Sequence, residues 1–138
     1  MNTKHMLDIF NAFLGSFLFM IFGEYSLPLQ ILIILMCIDY LSGILAAAIF
    51  HASKKTATGA LSSKAGFIGL LKKIFMLIIV AVAHLIDQLI GANNVLFTAV
   101  VIFYCSNEAI SIIENAIALN IPIPEKLKKA IESLTEED

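Results

Sequence analysis

The chain has 138 residues, of which 59% are hydrophobic and only 14% charged, with a formal net charge of -2. A soluble domain of this length needs roughly a quarter of its residues charged to cover its surface. All nine basic residues are lysine, which argues against a nucleic-acid surface built on arginine and a continuous basic face. Cys37 and Cys105 both sit in apolar stretches, with no CxxC or His/Cys cluster, so neither a disulfide framework nor a metal site is expected. Nothing resembles a phosphate-binding loop, a nucleophile elbow or a zinc-protease helix, and neither a cofactor nor an enzymatic role is expected.

The pattern is that of an all-α membrane protein forming a single domain over 1–138. A spanning helix needs about 20 mainly apolar residues. The first apolar stretch, about 6–23, follows Lys4 and His5 in the manner of a signal peptide. Ile21-Phe22-Gly23 makes a poor cleavage site, so the stretch reads as an uncleaved N-terminal fourth span, or else as an interfacial helix. The spans at 29–50 and 95–119 meet the length requirement directly, and 74–91 meets it with a few flanking residues.

The second span carries Asp39 near its centre, where a carboxylate costs about 2.5–3.5 kcal/mol. Its leucine, isoleucine and phenylalanine residues, at about 0.3–0.6 kcal/mol each, keep insertion favourable, but Asp39 should turn away from lipid. Ser42, Gly43, Ala46 and Ala47 follow it at helical spacing and form a small face on which another helix can pack.

The segment 51–73 is rich in Ser, Thr, Gly and Lys and reads as a loop, partly helical towards its end. Lys54, Lys55, Lys64, Lys72 and Lys73 all lie in it, with Lys72 and Lys73 at the membrane border. Such lysines attract anionic lipid at roughly 1 kcal/mol per charge.

The third span places His84, Asp87, Gln88 and Gly91 on one face. In the fourth, Tyr104, Asn107, Glu108, Ser111, Glu114 and Asn115 form one polar stripe. Counting from the span ends, Asp39, His84 and Glu108 fall near the bilayer midplane, Glu114 toward the cytoplasmic side and Asp87 toward the outside. Protonated or paired groups gluing a monomer together would explain one such residue. Three spans with polar faces at matched depth point to a water-lined cavity or an oligomeric pore.

Pro122 and Pro124 stop the fourth span, and 120–138 forms a tail. Within it, Leu127, Ala130, Ile131 and Leu134 recur on one helical face, with Lys126, Lys128, Lys129 and Glu132 on the other. A short C-terminal amphipathic helix, suited to a membrane surface or a neighbouring subunit, is expected. With four crossings, Lys4, the 51–73 loop and the tail lysines share one side, while 24–28 and 92–94 have none. The positive-inside rule then sets both termini in the cytoplasm.

Five segments carry a family resemblance: Asp39-Tyr40-Leu41-Ser42-Gly43, SSKAGFIGLLKK ending at Lys73, AHLIDQLIG at 83–91, NEAISIIENA at 107–116 and IPIPEKLKKA at 121–130. In these, over roughly 30–130, the chain resembles bacteriophage holins of the toxin-secretion and phage-lysis family, which includes the clostridial toxin-release holin. The resemblance implies a homo-oligomer in the bacterial cytoplasmic membrane that opens a lesion for an endolysin or a toxin, with an antiholin as a possible further partner. A small ion- or proton-coupled transporter using Asp39, His84 and Glu108, or an antiholin subunit, are the alternatives.

Overall fold

A computed structural model describes residues 2–51 and 57–135; Lys54 and Lys55 lie outside them. The described residues form five helices and no strand: α1 (Thr3–Phe22), α2 (Leu27–Ala48), α3 (Ser63–Ile90), α4 (Val95–Ala118) and α5 (Glu125–Thr135). The first four are long and apolar enough to cross a membrane.

The helix ends follow from local chemistry. α1 stops at Gly23, whose φ of 69° and ψ of -148° belong to a region open essentially to glycine alone. Pro28 occupies the first turn of α2, where a missing N–H is no loss. Ser62 caps α3 by accepting a hydrogen bond from Ala65 N at 3.4 Å. Gly91 ends α3 in the left-handed conformation, and Asn93 and Asn94 turn the chain with φ of 49° and 62°. Asparagine tolerates that region better than other side chains.

α3 differs most from the expected boundaries, since it starts at Ser63 rather than near 74. Once Ser62 caps the first turn, Phe67, Ile68, Leu70 and Leu71 continue the helix, and Lys72 and Lys73 do not interrupt it. At about 1.5 Å per residue it is roughly 42 Å long, more than a hydrocarbon core requires.

α4 is the central element, packed against both α2 and α3, while α2 and α3 meet over a shorter length. α1 lies along α3 and buries no residue, and α5 rests on α4. An apolar core of Leu29, Leu32, Met36, Val80, Phe97 and Val101 fills the half of the bundle nearer the 91–94 turn. The outside is covered by leucine, isoleucine and phenylalanine, which suits a lipid environment. His84 and Asp87 are buried near the 91–94 turn, while Asp39, Glu108 and Asn115 are buried in the other half of the interior.

Candidate functional site: an intramembrane polar network

Asp39 of α2, Lys73 of α3 and Glu108 of α4 converge in that half. Lys73 Nζ donates to Asp39 Oδ2 at 2.8 Å and also to Glu108 Oε2. The side chains of Lys73, Asp39 and Glu108 are only 12%, 4% and 8% exposed, so the ion pairs are shielded from the surroundings. Asn115 of α4 extends the network, its Nδ2 lying 3.3 Å from Asp39 Oδ1, 3.4 Å from the Asp39 carbonyl and 2.8 Å from Ser42 Oγ. Ser42 Oγ in turn donates to the Asp39 carbonyl at 3.0 Å. Two carboxyl groups therefore share one ammonium, with an amide and a hydroxyl supplying neutral dipoles. A polar group in hydrocarbon finds no water, so such a cluster persists only when its members satisfy one another.

Helical register explains the meeting. Lys73, Leu77, Val80, His84 and Asp87 fall at steps of 4, 3, 4 and 3 along one side of α3, and none of them is exposed. Lys72, one residue earlier, is exposed. From sequence, Lys73 marks a membrane border; in the fold it reaches into the bundle between two acids. The signal that could have found it is its place on the buried stripe of α3. Ala46 and Ala47 are buried on α2 and Gly43 is half-buried, so small side chains accompany the close packing of α2 on α4.

The other sequence-selected residues divide into three groups. Asp87 is buried and receives Leu96 N at 3.1 Å on Oδ1 and Phe97 N at 2.8 Å on Oδ2. It thereby satisfies two of the free N–H groups in the first turn of α4, a task the side chain of Asn94 does not perform. His84 is buried away from Asp39 and Glu108. Its ring stands edge-on to Phe97 at 5.9 Å, directly beneath Gly23. It borders a cleft of about 560 Å³ lined also by Phe19, Gly23, Glu24, Gln88 and Asn94.

The third group faces outward. Gln88, Asn107 and Glu114 are exposed and Ser111 is half-buried, so the polar stripe expected along α4 is split between interior and exterior. Lys64, Lys126 and Lys129 are exposed, and Lys128 pairs with Glu125 at 4.0 Å on the surface of α5. No group of three metal-binding side chains occurs among the described residues.

Comparison with known proteins agrees with a membrane protein of this design. The chain is 42% identical to an uncharacterized protein of Listeria monocytogenes, over 85% of its own length and 78% of the relative's. It is 38% identical to a 14.9 kDa protein of Clostridium perfringens, over 88% and 86% of the two chains. It is also 33% identical to a probable holin of Bacillus phage phi105, over 75% and 70%. No solved structure matches it at a significant level. Residues 16–136, nearly the whole chain, match the bacteriophage holin family, and the protein belongs to that family of multi-pass membrane proteins.

Proposed function

We propose that the chain assembles with copies of itself in the bacterial cytoplasmic membrane and opens a lesion through which an endolysin reaches the cell wall. The observation that carries this reading is the polar interior formed by Asp39, Lys73, Glu108, Asn115 and Ser42 inside a bundle whose outer surface is apolar. A bundle that is polar within and apolar without can part its helices towards water without turning charge to lipid. Closed, the network satisfies itself; opened, the same groups would be solvated along the wall of the lesion. Such a switch needs two packings separated by only a few kcal/mol. Asp87, His84 and Gln88 would lie nearer the outer mouth.

The lysines support an orientation with both termini and the segment ahead of α3 in the cytoplasm. No bond is made or broken by the protein; its action is assembly and opening.

Induced expression in a bacterium tests the proposal. The expected result is a period of normal growth followed by abrupt loss of membrane potential, of viability and of retention of a co-expressed endolysin. Continued growth at full expression, with the protein in the membrane, would overturn it.

A further inference from the structure

One face of α4 remains turned away from the bundle. Leu96, Ala99, Phe103, Asn107 and Ile117 are exposed along it, with Ile110 half-buried between them. The steps of 3, 4, 4, 3 and 7 residues follow a single helical stripe running the length of the span. Asn107 stands at its middle, the thirteenth residue of a helix that starts at Val95 and has 24 residues. Its amide makes no hydrogen bond to any described residue. Asn115, two turns further on, satisfies its own amide within the network, so the contrast is within one helix.

Lipid tails offer an amide neither donor nor acceptor. An asparagine supplies both, and its complement is another amide of the same kind. Copies inserted by the same topogenic signals share one orientation, so two α4 stripes meet in parallel with their Asn107 residues at equal depth. Buried asparagines set parallel register in helix pairs for this reason. Ala99 permits close approach on one side of the amide, and Phe103 and Ile110 surround it with apolar contact. Glu114 lies on the same face, but one turn from the end of α4, where headgroups and water begin.

We infer that the exposed stripe of α4 is the docking surface for a second copy of this chain, paired about a two-fold axis along the membrane normal through Asn107. The inference rests on the reading of the protein as a self-assembling membrane protein, and it makes a parallel pair the unit of assembly.

The test uses the full chain in lipid vesicles, with association read by subunit photobleaching across a range of protein-to-lipid ratios. The wild type should form pairs. Asn107→Leu should pair about 3- to 20-fold more weakly, the range expected for one interhelical polar contact in a membrane. Asn107→Gln, which keeps the amide, should retain most of the association. In a background carrying Cys37→Ala and Cys105→Ala, Phe103→Cys should form disulfide-linked pairs under oxidation, whereas Ile34→Cys on the exposed side of α2 should not. A wild type monomeric at every ratio, a leucine variant that pairs as the wild type does, or cross-linking at Ile34→Cys instead of Phe103→Cys would each overturn the inference. Because pairing is read without lysis, pairs that never permeabilise a cell would remove the proposed function and leave the docking surface standing. Lysis by a chain that shows no pairing through Asn107 would do the reverse.

Discussion

Lys73 Nζ lies 2.8 Å from Asp39 Oδ2, joining two residues 34 apart in the chain and fastening α3 to α2 inside the bundle. Glu108 takes a second hydrogen bond from the same ammonium, so one lysine links three helices. Breaking a buried ion pair from one side costs about 3–5 kcal/mol, because the remaining charge has no partner. Lys73→Met should therefore lower the melting temperature of the protein in detergent sharply. Adding Asp39→Asn and Glu108→Gln to Lys73→Met should restore much of that loss, since no uncompensated charge remains. A single variant that melts with the wild type would show that the three groups do not hold the helices together.

Asp87 holds the α3–α4 turn by accepting two hydrogen bonds from the first turn of α4. Removal of a helix cap costs about 0.5–2 kcal/mol. Asp87→Ala should show a loss in that range by thermal melting, and hydrogen exchange at Leu96 and Phe97 should quicken. Asp87→Asn keeps acceptor oxygen on one branch only and should fall between the alanine variant and the wild type.

Gly23 and His84 form the join between α1 and the rest of the bundle. A Cβ on residue 23 would stand 2.6 Å from His84 Cε1, and the backbone there has the φ and ψ of a glycine-only region. Strain of that kind costs on the order of 1–3 kcal/mol. Because α1 buries none of its residues, the penalty in Gly23→Ala should appear as local release of α1 rather than global unfolding. Limited proteolysis within 3–22 should accelerate while the melting of the remaining helices changes little. His84→Ala added to Gly23→Ala should relieve the steric part of the effect and leave the backbone part.

Orientation is accessible to chemical labelling. A cysteine replacing Asn93, in the turn between α3 and α4, should react with a membrane-impermeant maleimide added to intact cells. A cysteine replacing Thr58, ahead of α3, should react only after the cells are opened. The opposite pattern would invert the proposed topology.

Much of this protein is legible in one dimension because a bilayer imposes a one-dimensional rule. An apolar stretch must be long enough to cross, its backbone must satisfy itself as helix, and lysines collect on one side. The length of α3 does not follow from that rule, since it runs back to Ser63, whereas the number and order of the long apolar helices do. So does the expectation that Asp39 and Glu108 turn inward, since lipid cannot solvate them. Chain alone does not say which partner each inward group finds, because helices adjacent in a bundle are set by packing at many weak contacts. Asp39 and Glu108 meet on Lys73, a residue whose sequence neighbours suggest a membrane border, because α3 continues back to Ser63 and carries Lys73 on its buried side. The same packing sends Asp87 to the N-terminus of α4, isolates His84 beneath Gly23, and divides the polar stripe of α4 between Asn115 inside and Asn107 outside. Sequence determined that this protein belongs in a membrane and which residues cannot face lipid there. Only the tertiary structure decided which of them satisfy one another within a single chain, because that depends on how three helices are rotated together.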